Sequence, residues 1–284
     1  MIRLAAFADE ASPSLERQIA ALKRNGIEYI ELRVINGANI AKYSLEEAKI
    51  YAKQLEDAGI KVWAIGSGIG VISINADLHE HKNQLRHVCE IAKIFGTDKI
   101  RMFSFHEAND SEDKVFSELN EMVAIANEYG IGLYHENERA MYGNTLERIQ
   151  RLMENVQGLH YVYDPSNFLQ TGEDSAVTLE ALHSKADYFH IKDFVSSTRS
   201  VVPAGYGDGR ISELIDRISP DDDMTLTVEP HLRVIKEGSE MDKAEMKNKF
   251  CYATGDEAFD AAAQALISLL EAQGYKKIDG GYKK

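Results

Sequence analysis

YGIGLYHENE, residues 129–138, holds the plan of the chain in ten positions. Gly130 closes a polar, helix-like stretch. Ile131 opens an apolar run, and Glu136 and Glu138 end that run in charge. A glycine just past a helix takes the left-handed turn that a β-carbon disfavours, and a β-branched residue suits the strand that follows. Asn25-Gly26-Ile27 and Ala58-Gly59-Ile60 repeat the device. Working outward, strand-like runs fall at 2–7, 27–32, 60–65, 98–103, 131–136, 159–164, 186–191 and 224–229. Amphipathic helix-like stretches lie between them at 13–25, 44–58, 79–95, 112–129, 144–156, 174–184 and 211–219, with an eighth at 256–273. Ser12-Pro13, Ser44 with Glu47, and Asn144 with Glu147 have the spacing of helix starts. Eight strands in strict alternation with eight helices predict a parallel sheet, and eight is the number that closes a (β/α)8 TIM barrel. An open doubly wound sheet would carry a glycine-rich turn after its first strand, and FADEAS has none.

The expected organisation is a single α/β domain over 1–284, with no internal linker or repeat. The connection at 230–255 reads either as a lid over the barrel mouth or as a solvated excursion with a short extra helix. GYKKIDGGYKK, at about 275–284, reads as a flexible basic tail. The chain has 284 residues, 44% hydrophobic and 27% charged, with a net charge of −14. That field repels polyanions and argues against nucleic acid and anionic membrane surfaces as partners. Cys89 and Cys251 form neither a CxxC nor a disulfide framework, and a reducing cytoplasm is the simplest expectation. MIRLAAFADE is too briefly apolar for a signal peptide, and no 18-residue apolar run offers a membrane span.

In a barrel the C-terminal strand ends converge on one mouth. Strand five ends at Glu136, strand six at Asp164 in YVYDPSN, and strand eight at Glu229 in LTVEPHL, while strand seven carries His190 in FHIKD. Alternate strand residues face opposite ways. Placing Leu133, Phe189, Ile191, Leu226 and Val228 against the helices turns Tyr134, Glu136, Asp164, Tyr188, His190, Lys192 and Glu229 inward, and His135 outward. Three carboxylates brought together need protonation or a cation. Three oxygen ligands and one nitrogen predict one divalent metal ion, with Mn²⁺ or Mg²⁺ favoured and Zn²⁺ or Co²⁺ compatible.

These segments carry a resemblance. FADEASPSLERQIAALKRNGIEYIELR (7–33), RMFSF (101–105), YHENE (134–138), YDPSNF (163–168), FHIKD (189–193), PAGYGDG (203–209) and VEPHL (228–232) resemble the xylose isomerase-like TIM barrels, the sugar phosphate isomerase/epimerase superfamily. The resemblance implies that Glu136, Asp164, His190 and Glu229 bind the metal. It also implies that Glu136 and Glu229 exchange protons with opposite faces of a substrate. Two departures stand out. Asn167 occupies a position where many relatives carry histidine, which weakens a multi-zinc reading and leaves Asn167 as a substrate contact. In IGSGIGV, a glycine and Val71 replace the proline and lysine of a pattern common among relatives, which argues against a phosphorylated substrate.

The expected reaction is a metal-dependent isomerisation or epimerisation of a small sugar or polyol, by proton abstraction through an enediolate. A dehydratase acting on an inosose-like substrate begins the same way and is the alternative. An endonuclease IV-type hydrolase would need more histidine ligands and a basic groove. A non-catalytic sugar-binding protein would not need the metal. Lys192 either stabilises the oxyanion and donates a proton, or pairs with Asp193 or another acid. Glu31 and Arg33 either contact sugar hydroxyls or pair with each other. His106 reads as a substrate contact or a loop residue, and His231 as a substrate-side residue that orients a ligand. Trp63 reads as core or as an apolar wall. The glycines of AGYGDG (204–209) either admit a ligand to backbone amides or simply form a turn. Assembly into a homo-oligomer is left open.

Overall fold

Eight short apolar segments pair edge to edge in chain order, and the last returns to the first. The computed structural model describes residues 1–235 and 249–284. Its barrel strands are β1 (Ile2–Ala6), β2 (Tyr29–Leu32), β3 (Lys61–Gly66), β4 (Lys99–Met102), β5 (Gly132–Glu136), β6 (Leu159–Tyr163), β7 (Tyr188–Ile191) and β8 (Met224–Val228). All neighbouring pairs are parallel, and β8 closes on β1 with Ile2 opposite Met224 and Ala6 opposite Val228. The molecule is a single TIM barrel, ringed by helices α1 (Leu15–Arg24), α2 (Leu45–Ala58), α3 (His79–Ile94), α4 (Glu112–Glu128), α5 (Leu146–Asn155), α6 (Pro165–Thr171), α7 (Ser175–Leu182), α8 (Ile211–Asp216) and α9 (Gly255–Ala272).

The glycine device works as the sequence predicts. Gly59 ends α2 at φ 73°, and the Ile60 amide donates to the Leu55 carbonyl, so the helix stops and the strand starts within two residues. Ser44 and Glu47 form a reciprocal capping box. Two other starts differ from expectation. The N-cap of α1 is Ser14, with Pro13 outside the helix, and the N-cap of α5 is Thr145, which accepts from the Arg148 amide. Helix α6 was not expected, yet its signal stands in YDPSNF: Asp164 is the N-cap and Pro165 the first helical residue, where proline needs no amide hydrogen.

Parity sorts the strand residues into two cores. Leu133, Tyr161, Phe189, Ile191, Leu226 and Val228 join the large core against the helices. Trp63, Tyr134, Val162 and Tyr188 form a separate apolar plug inside the barrel, with the Trp63 and Tyr188 rings 5.8 Å apart. Trp63 is therefore core. Each buried Leu or Ile contributes about 1.5–3 kcal/mol, so a one-residue slip, which reverses every side chain, is strongly excluded. Above the plug the inward positions become polar, and these form the candidate site.

The C-terminal tail departs from expectation. Lys276–Ile278 and Gly281–Lys283 form a hairpin whose second strand pairs antiparallel with β1 at Ile2. Tyr275 and Tyr282 are buried, and their burial holds down a segment whose lysines suggested a frayed end. Half of the expected lid at 230–255, residues 236–248, lies outside the described residues. Its two ends are joined by a short parallel pairing of Arg233–Val234 with Cys251–Tyr252. Among the described residues no helix is long and apolar enough to cross a membrane.

Candidate metal centre

Glu136, Asp164, His190 and Glu229 offer ligand atoms that all lie within 4.8 Å of one another, and all four residues are buried. Each stands at or next to the end of a strand, so the barrel closure described above sets their spacing. One residue deeper, Glu31 is fully buried and accepts from Tyr188 Oη (3.0 Å), Thr227 Oγ1 (2.9 Å) and, with the hydrogen on that nitrogen, His190 Nε2 (3.1 Å). That bond aims His190 Nδ1 at the carboxylates, 3.1 Å from Glu136 Oε1 and 3.6 Å from Glu229 Oε2. His190 Nδ1 has no aligned hydrogen-bond partner, and neither has Asp164 Oδ2. Asp164 Oδ1 is committed to capping α6 through the amides of Ser166 (2.7 Å) and Asn167 (3.0 Å). A carboxylate–histidine pair that presents the other ring nitrogen to a cluster of buried oxygens is the arrangement that orients metal-binding histidines. The donor set fits one divalent cation.

Internal cations also face the cluster. Lys192 Nζ lies 2.8 Å from Asp164 Oδ2 and 3.1 Å from Glu229 Oε2. Arg101 Nε lies 3.3 Å from Glu136 Oε2 and 3.7 Å from Glu31 Oε1. Burial favours the neutral form of every one of these groups, but opposite charges outweigh it in several. Burial would lower His190, yet Glu136 and Glu31 raise it to about 10. Burial would lower Lys192 too, and Asp164 and Glu229 hold it above the ordinary lysine range. Burial would raise Glu136 and Glu229, but His190 keeps Glu136 below the usual carboxylate range, and Lys192, with His231, keeps Glu229 well below it. Asp164 goes the other way. Burial, with Glu229 and Glu136 against the help of Lys192, pushes it up to about 7.

The remaining expected site residues divide. Lys192 pairs with Asp164 and Glu229, not with Asp193. Glu31 accepts from Tyr188, Thr227 and His190, so it supports the His190 ring. Arg33 does not pair with Glu31. It stacks on the Phe7 ring at 4.5 Å and reaches Asp9 (3.0 Å), Glu10 (3.2 Å) and Glu229 (3.8 Å). Asn167 is buried and donates to Glu136 Oε1 (3.1 Å) and the Asn137 carbonyl (2.9 Å), so it too supports a candidate ligand. His231 places Nδ1 3.2 Å from Glu229 Oε1. His106 is not brought to the cluster, and its Nδ1 lies 3.1 Å from the Ala140 carbonyl oxygen. His135 faces the helices, as parity predicted.

The glycine loop AGYGDG does bind an anion, and the anion is internal. Asp193 accepts from the amides of Phe194, Gly205, Gly207 and Gly209, each at 2.9 Å. A β-carbon at Gly207 would stand 2.3 Å from Asp193 Oδ1, so only glycine allows this approach. The loop thereby clamps the chain immediately after Lys192.

Sequence reasoning missed Arg101, Asn137, Asp9 and Glu10. Parity would have found Arg101, because Ile100 and Met102 face outward. Asn137 ties β5 to β6 by accepting from the Asp164 amide (2.9 Å) and donating to the Asp164 carbonyl (2.8 Å). No local pattern reveals that.

A family model for xylose isomerase-like TIM barrels matches residues 19–245, and the chain belongs to that family. A search of curated proteins finds no match. Among solved structures, the probable 3-DHS dehydratase AsbF from Bacillus anthracis is similar with a TM-score of 0.70 at 17% identity, covering 94% of this chain and 99% of its own. An L-ribulose 3-epimerase follows with a TM-score of 0.68 at 18% identity, covering 96% and 97%. The zinc-bound IOLI protein has a TM-score of 0.68 at 16% identity, covering 95% and 98%. At these identities the likeness shows a shared fold.

Proposed function

We propose that this protein is a divalent-metal-dependent isomerase or epimerase acting on a small sugar or polyol. The observation that carries the reading is the Glu31–His190 pair, which aims an unpartnered ring nitrogen at three buried carboxylates. Glu136, Asp164, His190 and Glu229 would hold the ion. When bound, a divalent cation supplies Lewis-acid stabilisation of negative charge developing on substrate oxygens. Glu136, kept ionised by His190 and Arg101, takes a proton from the carbon beside the carbonyl. Glu229, on the far strand of the cluster, passes to that carbon from the other side a proton it takes from Lys192 Nζ, 3.1 Å away. Lys192 touches both Asp164 and Glu229 and supplies a proton or a positive charge beside the substrate oxygen.

A dehydratase uses the same first step, and the resemblance to AsbF supports it as a second reading. There Lys192 would protonate a leaving hydroxyl. Metal analysis of the purified protein and a ketose panel assayed with and without EDTA test the proposal. Glu136→Gln and Glu229→Gln should each lower turnover by about 10²-fold or more. Full metal content and full turnover in both variants would refute the mechanism.

A further inference from the structure

We infer that His81 is a proton-operated anchor for three loops of the barrel mouth: its neutral ring holds them together, and protonation of that ring releases them. The segment IGSGIGV, residues 65–71, runs from β3 into the first of these loops. There the Gly70 amide donates to His81 Nε2 in a buried bond of 2.8 Å. A ring nitrogen that accepts from an amide carries no hydrogen of its own. His81, buried near the start of α3, is therefore neutral with its hydrogen on Nδ1. A second proton would set N–H against N–H and leave the Gly70 amide without a partner, a costly state for a buried donor.

The bond sits where the loops join. A β-carbon at Gly70, whose φ is 86°, would lie 2.1 Å from the Phe103 carbonyl oxygen, so the first loop rests directly on the chain leaving β4. Backbone bonds join the two: the amides of Phe103, Phe105 and His106 donate to the carbonyls of Ile69 (2.9 Å), Gly70 (3.0 Å) and Ile72 (2.9 Å). Phe105 at φ 68° and Glu107 at φ 54° stand in the left-handed region, which non-glycine residues keep only where their surroundings impose it. The third loop hangs on the second. The Tyr142 amide donates to the Phe105 carbonyl (3.0 Å) and the Gly143 amide to Ser104 Oγ (2.8 Å). Toward the candidate metal centre, the Ser67 carbonyl accepts from Arg101 Nη1 at 3.0 Å.

Burial is the larger influence on the His81 ring and favours its neutral form, whereas Gln84 favours the charged one, so the ring takes up its proton below its ordinary 6.5. Charged groups on the neighbouring elements have other partners. Lys82 of α3 reaches Glu118 (2.7 Å) and Glu121 (2.6 Å) of α4. On the β4 side, Glu107 accepts from Ser73 Oγ (2.6 Å) and His106 Nδ1 faces the Ala140 carbonyl. The 67–74 loop itself carries no titratable side chain. The anchoring is thus complete above pH 6.5 and is lost as pH falls through the lowered value of the folded ring.

Amide hydrogen exchange of the full chain, read residue by residue with each rate divided by its intrinsic value at that pH, needs no substrate and so stands apart from the isomerase reading. Between about pH 7.5 and about pH 4.5, protection should fall about fivefold or more at Gly70, and also at Phe105, His106 and Tyr142, while Ile100 and Leu133 in the barrel strands keep theirs. In His81→Gln and in His81→Leu, protection at Gly70 should no longer change over that range. It should stay high in His81→Gln, whose amide oxygen accepts at every pH, and low in His81→Leu. Gly70 protection that is level with pH in the unaltered protein overturns the inference. So does an equal fall in His81→Gln, or a parallel fall at Ile100 and Leu133, which would make the event a global opening.

Discussion

Glu31 shows how one side chain can act through another. Its bond to His190 Nε2 chooses which ring nitrogen faces the carboxylates. Replacing it with Gln should weaken Mn²⁺ binding by about 10–100-fold, read by metal competition, and unchanged affinity would remove Glu31 from the site. His135, next to a candidate ligand but facing outward, has a different role. Burial holds it down at about 4, against a small upward pull from Glu136. The unfolded chain takes up that proton near its ordinary 6.5 and the folded chain only near 4. The stability it contributes is thus complete above pH 6.5 and is lost as pH falls from 6.5 toward 4. At about 1.4 kcal/mol per unit, the loss over that window is roughly 3 kcal/mol. His135→Leu should flatten the urea midpoint across that range; an equally steep decline in the variant would place the acid sensitivity elsewhere.

At the scale of elements, the joint between β7 and the 203–209 loop sets the position of Lys192. Four amides converge on Asp193, the residue after it. Asp193→Asn removes the charge and leaves amides facing a side chain that cannot accept from all of them. The expected cost is about 3 kcal/mol, measured by urea unfolding, and a cost below about 0.5 kcal/mol would show that the loop holds itself. The β6–α6 junction follows similar logic. Asp164 divides its oxygens, one capping the helix and one facing the cluster. YDPSNF carries the signal for that helix start, whereas nothing local to PAGYGDG says that its anion is Asp193, because the nine intervening residues 194–202 must first fold back.

At the scale of the molecule, barrel closure brings residues 157 to 196 positions apart into one polar layer, as Glu31 does with Tyr188, His190 and Thr227. The C-terminal hairpin braces the first strand of that barrel. Removing residues 275–284 uncovers Tyr275 and Tyr282 and the edge of β1, and should cost about 3–5 kcal/mol. A truncated protein that melts at the same temperature as the full chain would return the segment to the status of a tail. The eight-strand alternation, the helix-ending glycines and the inward parity of Glu136, Asp164, His190 and Glu229 were all readable from the sequence, because strand and helix periods are local properties of the chain. Which charges neutralise which was not. Arg33 left Glu31 for Asp9 and Glu10, Lys192 left Asp193 for Asp164 and Glu229, and Glu31 and Asn167 became supports for candidate ligands. Pairing depends on depth within the barrel and on distances between strands far apart in sequence, and only the closed tertiary structure sets those.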